Sequence, residues 1–146
     1  MHQYLTFNID TEEYGIDILR VQEIRSSGPI TAIPHTPSHL RGVMNLRGTI
    51  IPVVDLRAKL GIAAAEANHF TAIVVVTVGA KIVGLIVDAV SDVLDIPSTD
   101  IQAPPDFGGH VDTRFIIGLA RANERLVVLL DIEHVLGADL TAAGVP

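Results

Sequence analysis

Apolar and polar residues alternate with a period of two along much of this 146-residue chain, which is typical of half-buried β-strands. In residues 1–10, Leu5, Phe7 and Ile9 fall on one face, and residues 14–18 return after a polar turn. We therefore predict an N-terminal hairpin. Continuous apolar runs predict two further hairpins, made of residues 70–78 with 81–87 and of residues 115–120 with 126–130.

The clearest pattern lies in the middle of the chain. Residues 43–46 and 49–54 read as two strands joined by a tight turn at Arg47 and Gly48, because glycine readily supplies the positive φ that such turns need. Asp55 then suits the N-cap of a short helical turn. Arg47 lies at the hairpin tip, where a side chain is displayed rather than buried.

The order of hairpin, loop, hairpin and capped turn occurs twice. Each central segment has twenty residues, begins and ends in Gly, and carries Asp at its fourteenth position, Asp55 or Asp131. A second alignment at one fixed offset pairs Gly15 with Gly84. The aligned segments are 42–61 with 118–137, and 7–21 with 76–90.

Short strands at this spacing, with almost no helix, predict an all-β fold of two small antiparallel barrels. We divide the chain into a first barrel of residues 1–66, a second of residues 67–137 and a fraying tail of residues 138–146. The barrel to which the first strand belongs is left open. A barrel of about 65 residues is marginal alone, so two packed together gain stability and leave a groove between them.

Composition narrows the possible functions. Hydrophobic residues make up 49% of the chain, which suggests that some are kept for a partner. No apolar run reaches the roughly 18 residues of a membrane span, and the chain opens on strand-like sequence, so we expect no signal peptide and a cytoplasmic location. With no cysteine there is no thiolate chemistry, and a net charge of −7 argues against nucleic acid or anionic lipid as partner.

Candidate reactive groups are scarce, so we predict no catalytic residue, no metal site and no cofactor. No serine lies in a Gly-x-Ser-x-Gly elbow, and there is no Gly-rich phosphate loop with its lysine. Prolines interrupt the helix that would bring His35 and His39 together on a metal. We interpret Asp88, Asp92 and Asp95 as solvated turns and caps, since their spacing lacks the glycine and glutamate of a calcium loop. The scattered histidines interpreted as polar surface are His69, His110 and His134.

Glu23 and Arg47 each lie beside aliphatic residues in the first half of the chain. They are either two unrelated surface charges, worth about 0–1 kcal/mol if they meet, or an ion pair partly buried at the groove. The sequence alone does not separate these interpretations.

Two segments, residues 14–24 and 36–57, resemble the signature of the CheW family of bacterial chemotaxis coupling proteins. The second contains Asn45-Leu46-Arg47-Gly48, which is specific to that signature, and residues 83–94 match the pattern of the family's second half. The likeness runs from Gln3 to Gly137.

The resemblance implies two five-stranded SH3-like barrels packed together, and a cytoplasmic adaptor with no catalysis or cofactor. Its partners would be the regulatory domain of the histidine kinase CheA, which docks barrel to barrel, and the helical hairpin tip of methyl-accepting chemoreceptors, which lies in the groove. The first-barrel contact surface would include Val21 and Ile24, and the groove lining Val90 and Val93. The residues expected at partner contacts are Val21, Glu23, Ile24, Asn45, Leu46, Arg47, Gly48, Val90 and Val93.

Three other functions stay open at this point. One keeps the fold but moves the adaptor to a pilus-motility or other chemosensory pathway. A small-ligand carrier or hydrolase would need a closed pocket with convergent polar groups in the groove. A nucleic-acid-binding barrel is disfavoured by the acidic charge balance.

Overall fold

The computed structural model describes residues 2–26, 28–105 and 113–142, so the region around His110 lies outside the described residues. Eleven strands and two α-helices are present in these ranges. The strands are β1 His2–Ile9, β2 Glu12–Asp17, β3 Val21–Arg25, β4 Leu40–Leu46, β5 Thr49–Asp55, β6 Ala72–Val78, β7 Lys81–Val87, β8 Ala89–Ile96, β9 Ile101–Gln102, β10 Ile116–Ala122 and β11 Arg125–Leu130. The helices are α1 Leu56–Lys59 and α2 Ile132–Ala142.

The strands form two sheets. The five-stranded sheet has the order β3-β6-β7-β5-β4, and the six-stranded sheet has the order β8-β1-β2-β11-β10-β9. Pairing is antiparallel except between β5 and β7 and between β2 and β11. The predicted all-β fold of two small barrels is confirmed, with the two-residue strand β9 added as a sixth strand to one of them.

The sheets divide the chain differently from the predicted halves, 1–66 and 67–137. The hairpin of β6 and β7 lies in the five-stranded sheet with β3, β4 and β5, and the hairpin of β1 and β2 lies in the six-stranded sheet. The first strand therefore crosses to the later sheet, and the second strand goes with it because the two are hydrogen-bonded along their length. The first hairpin of each repeat therefore lies in the sheet that contains the last two strands of the other repeat.

The glycines shared by the two repeats have equivalent packing roles. Gly15 pairs with Leu129 where β2 meets β11, and Gly84 pairs with Val53 where β7 meets β5. A Cβ atom at Gly15 would lie 3.0 Å from Leu129 Cδ2, and one at Gly84 would lie 3.0 Å from Ile73 Cγ2. The absence of a side chain at both glycines therefore makes room for a large neighbouring side chain beside the parallel strand pair of each sheet.

Gly42 and Gly118 allow a second close approach in each repeat. The segment after β3 exchanges two backbone hydrogen bonds with β4, from Thr31 N to Val43 O at 2.8 Å and from Val43 N to Thr31 O at 2.9 Å. Similarly, β9, which follows β8, pairs with β10. A Cβ atom at Gly42 would overlap the Thr31 carbonyl, and one at Gly118 would lie 2.7 Å from the carbonyl oxygen of Gln102. These contacts bring the chain after β3 or β8 back onto the opposite edge of its own sheet, as barrel closure requires.

The largest hydrophobic cluster lies between the two sheets, and each sheet also has a smaller cluster of its own. Strand β6 contributes to two clusters, because Val74 and Val76 join the shared one while Ile73 and Val75 face the cluster of the five-stranded sheet. Burial on both faces explains the continuous apolar runs of the sequence. Many of the chain's hydrophobic residues are therefore buried in these clusters, although several large apolar side chains stay exposed. These are Leu19, Ile24, Ile33, Ile50, Phe70, Val93, Ile117 and Leu126.

Three local predictions differ from the structure. The sequence predicts a single helical turn at residues 37–41, stopped by Gly42, but the structure has a turn followed by β4, because Leu40 is buried and pairs with Val54. The sequence also predicts a short strand at residues 30–33, ended by Pro34, and this is reduced to the bridge at Thr31. Helix α2 continues past Gly137 to Ala142, into the predicted tail, since a single glycine costs a helix only about 1 kcal/mol and does not by itself end it. Residues 143–146 lie outside the described residues.

We expect Gly42→Ala to lower the free energy of unfolding by about 3 kcal/mol or more, because the new methyl group overlaps the Thr31 carbonyl at a positive φ of 148°. Gly61→Ala is the matched control. Its φ is 76° but no atom lies within 4 Å of the added Cβ, so we expect only the left-handed strain of about 1–2 kcal/mol. Urea unfolding of both variants measures the difference. Equal losses would show that the close approach at Gly42 does not constrain the fold.

Candidate functional site

The β4–β5 hairpin ends in a two-residue turn. Leu46 pairs with Thr49, which leaves Arg47 and Gly48 between the strands with φ values of 51° and 92°. Two positive φ values in a two-residue loop are typical of a type I′ turn. Asn45 Oδ1 accepts a hydrogen bond of 2.7 Å from Gly48 N. Asn45 and Gly48 therefore fix the turn, and Arg47 stands at its tip with 62% of its side chain exposed.

Arg47 contacts Glu23 of β3. Arg47 Nη1 donates to Glu23 Oε2 at 3.2 Å, and Nη2 lies 2.7 Å from Oε1 in an ionic contact outside hydrogen-bond geometry. The Glu23 side chain is 26% exposed, and Arg25 Nη1 lies 4.0 Å from its Oε2. The hydrogen bond from Arg47 is the main cause that lowers the pKa of Glu23, and it raises the pKa of Arg47. The two charges form an ion pair, which joins the two edges of the five-stranded sheet.

The four aliphatic candidates lie on two equivalent strands. Val21 and Ile24 are on β3, at one edge of the five-stranded sheet, and Val90 and Val93 are on β8, at one edge of the six-stranded sheet. Val21 and Val90 are half-buried against the shared cluster, whereas Ile24 and Val93 are each 45% exposed. The offset that aligns residues 7–21 with 76–90 pairs Val21 with Val90 and, continued, Ile24 with Val93. Each sheet thus has one aliphatic edge, at the same place in its repeat.

Leu46, which the family resemblance places at a partner contact, is buried instead. Its side chain is 4% exposed and packs with Met44 and Ile51 in the cluster of the five-stranded sheet. It supports the hairpin from inside and presents no surface to a partner.

Arg57 and Asp88 have a role that the sequence did not predict. Arg57 Nε and Nη2 donate to the two carboxylate oxygens of Asp88 at 2.8 and 2.6 Å, and Nη1 donates to the Ala63 carbonyl at 2.7 Å. Nη2 also lies 3.3 Å from Asp10 Oδ1, and Asp10 N donates to Asp88 Oδ2 at 2.7 Å. We call this group of contacts the Arg57 clamp. Asp88 is therefore not a solvated turn residue; the only signal in the sequence was that Arg57 ends the family-like segment 36–57.

The Arg57 clamp holds the pKa of Asp88 below its usual value, with the hydrogen bonds from Arg57 as the main cause. The same contacts raise the pKa of Arg57, which stays charged at every pH of interest. The Arg57 side chain is 13% exposed and that of Asp88 30% exposed, so solvent weakens this pair less than a surface ion pair.

A cavity of about 270 Å³ lies beside the Arg57 clamp. Arg41 and Arg57 both line it, but Arg41 Nη2 is already paired with Asp55 Oδ2 at 2.5 Å, as Arg57 is with Asp88. Neither guanidinium group is available as an unpaired group for a small ligand. Among the described residues, no group of three or more His, Asp or Glu side chains could hold a metal ion. No helix in the described part of the chain is long and apolar enough to cross a membrane.

The sequence of this chain also matches a known protein family. The family model described as a CheW-like domain matches residues 3–139, nearly the whole chain. The chain belongs to the CheW family. It is 41% identical over 137 residues to the chemotaxis protein CheW of Klebsiella aerogenes, a match that covers 94% of this chain and 82% of that protein.

The chain is also similar to a solved structure and to a protein with another name. The crystal structure of the scaffolding protein TtCheW from Thermoanaerobacter tengcongensis superposes with a TM-score of 0.86 at 34% identity, covering 92% of each chain. The protein FrzA of Myxococcus xanthus is 29% identical over 136 residues, covering 92% of this chain and 84% of FrzA. As a CheW-family member the chain is a non-catalytic chemotaxis adaptor, which removes the hydrolase and nucleic-acid-binding alternatives.

We expect Asp88→Asn to lower the free energy of unfolding at pH 7 by about 1–3 kcal/mol, because Arg57 loses a charged acceptor in a largely buried place. Because the pKa of Asp88 is lower in the folded state, its stabilising effect is full above the unfolded value of about 3.9 and is lost as the pH falls through the folded value. The difference between wild type and variant, measured by urea unfolding at several pH values, should therefore shrink in acid. Asp95→Asn, on the exposed side of β8, is the control and should show no such difference at any pH.

Proposed function

We propose that this chain couples methyl-accepting chemoreceptors to the histidine kinase CheA, in the cytoplasm at receptor arrays, by binding the kinase regulatory domain and the helical hairpin tip of the receptor. The observation that carries the proposal is the pair of equivalent aliphatic edges, β3 and β8, one on each sheet. Two separate edges allow one small chain to hold two partners at once, as an adaptor must.

The β3 edge suits the kinase regulatory domain, to which the family resemblance assigns the same barrel fold. Ile24 supplies exposed apolar area, worth roughly 25 cal/mol per Å² buried, beside the ion pair of Glu23 and Arg47. The pair orders the hairpin tip against β3, so that a docking barrel meets a fixed surface. Charges at such a rim mainly set register and exclude wrong partners.

The β8 edge suits the receptor hairpin. Val93 is exposed and Val90 is half-buried against the cluster shared by the sheets, so the aliphatic surface of β8 leads from solvent towards the junction between them. An amphipathic helix that lays its apolar face along such a junction buries side chains at helical spacing.

An adaptor of a pilus-motility or other chemosensory pathway would use the same two surfaces. The similarity of this chain to FrzA, a relative with a name other than CheW, supports keeping this alternative. Binding to purified receptor fragments from each pathway separates these alternatives.

We expect Arg47→Glu to abolish kinase activation in a reconstituted array of receptor, kinase and this chain, because two carboxylates would then face each other between the hairpin tip and β3. The far-ultraviolet circular dichroism spectrum should not change, since the turn conformation depends on Asn45 and Gly48. Arg121→Glu makes the same change of charge at an exposed position of β10 and is the control. Full activation by Arg47→Glu would remove Arg47 from the site, whereas rescue by the double variant Glu23→Arg/Arg47→Glu would confirm that the pair acts as a unit.

Ile24→Asp and Val93→Asp place the same charge at repeat-equivalent positions of equal exposure. We expect the first to weaken binding of the purified kinase regulatory domain, and the second to weaken binding of a receptor hairpin fragment, each by about tenfold or more. Calorimetry with each partner alone measures both effects. If both substitutions affected the same partner, the assignment of one edge to each partner would be wrong.

A further inference from the structure

The two sheets are joined by the chain at Asp88. This residue alone separates β7, which ends at Val87 in the five-stranded sheet, from β8, which begins at Ala89 in the six-stranded sheet. Its backbone N donates to Asn8 O at 3.1 Å, and its carboxylate accepts both hydrogen bonds from Arg57. The start of β8 is therefore fixed at the crossover between the sheets.

Arg57 connects this crossover to three other segments. It lies in α1, directly after the five-stranded sheet's β5, and donates to Ala63 in the connector that follows α1. It also contacts Asp10 in the β1–β2 turn of the six-stranded sheet. A single, largely buried side chain thus fixes α1, the connector, the β1–β2 turn and the start of β8 relative to one another.

The other repeat has a much weaker contact at the equivalent place. The offset that aligns Asp55 with Asp131 pairs Arg57 with Glu133, and the offset that aligns Gly15 with Gly84 pairs Leu19 with Asp88. Beside Leu19, Arg20 Nη2 contacts Glu133 Oε1 at 2.5 Å, with side chains that are 39% and 54% exposed. The Arg57 clamp has two part-buried hydrogen bonds to Asp88 besides its exposed contacts to Ala63 and Asp10. The ion pair of Arg20 and Glu133 is exposed, and such a pair is worth little.

We infer that Arg57 is a positioning residue for the receptor-binding edge, acting through Asp88 to place β8 relative to the five-stranded sheet. This inference rests on the proposed function. Among the described strands β8 pairs only with β1, which holds Val90 and Val93 within the six-stranded sheet, so the attachment at Asp88 sets where β8 lies relative to the five-stranded sheet. Strand β3, on which the kinase domain is proposed to dock, pairs with β6, and none of the residues of the Arg57 clamp belongs to either strand. Arg57 therefore affects the receptor-binding edge, β8, and does not affect the kinase-binding edge, β3.

The test uses the full chain and measures binding to each partner separately, with purified kinase regulatory domain in one titration and a receptor hairpin fragment in the other. We expect Arg57→Gln to weaken receptor binding by about tenfold and to change kinase-domain binding by less than about twofold. Arg57→Lys, which keeps the charge but not the fork of donors, should recover part of the loss. Arg20→Gln removes the repeat-equivalent exposed pair and is the matched control; it should change neither affinity.

A difference between the two partners is the decisive readout, because a merely destabilised protein would bind both more weakly. Equal weakening of both partners, or no change for either, would overturn the inference, and so would the same selective loss in Arg20→Gln. If Arg57→Gln does not fold, Asp88→Asn is measured in the same two titrations with the same expectation. A wild-type chain that binds neither partner would instead overturn the proposed function.

Discussion

The shared hydrophobic cluster between the two sheets is the interaction on which the rest of this structure depends. Leu5, Phe7 and Ile9 of one sheet meet Val74, Val76 and Leu85 of the other there, and all are almost fully buried. A sheet of this size has too little interior to be stable alone, so each needs the other to cover its second apolar face. The exchange of hairpins between the repeats strengthens this dependence, because neither sheet can be completed by one repeat.

Burial of the sheet faces limits the apolar surface that remains for binding partners. With one face of β6 in the shared cluster and the other in the cluster of its own sheet, no broad apolar face of this strand is left for binding. What remains is at edges and turns, such as Ile24 on β3, Val93 on β8 and the Arg47 tip. Edge contacts of this kind bury modest areas, which suits an adaptor whose contacts are remade rather than permanent.

Sequence patterns predicted the local structure well, because local signals decide it. The turn at Arg47-Gly48 follows from glycine, and the cap at Asp55 from the carboxylate that accepts from Arg57 N at 3.1 Å. The repeat was visible for the same reason, since Gly15, Gly84 and the capping residues recur at fixed offsets. Periodicity could not show that the hairpins are exchanged, because alternation reads the same whichever sheet a hairpin joins. Nor could it show the pairing of Arg57 with Asp88, which are 31 positions apart, or the burial of Leu46 beside an exposed Arg47.

The crossing of the first hairpin has a consequence for biosynthesis. All five strands of one sheet lie between Val21 and Val87, so they can pair as soon as this stretch has left the ribosome, although that sheet becomes stable only when the other sheet covers it. The hairpin of β1 and β2 emerges earlier, but β8, the neighbour of β1, follows only after β7, and β11, the neighbour of β2, only with residues 125–130. During that interval Leu5, Phe7 and Ile9 have no permanent cover, and such exposed apolar strands are the kind of segment that chaperones bind. The hairpin of β1 and β2 is therefore synthesised before the other described strands but is one of the last to reach its native environment.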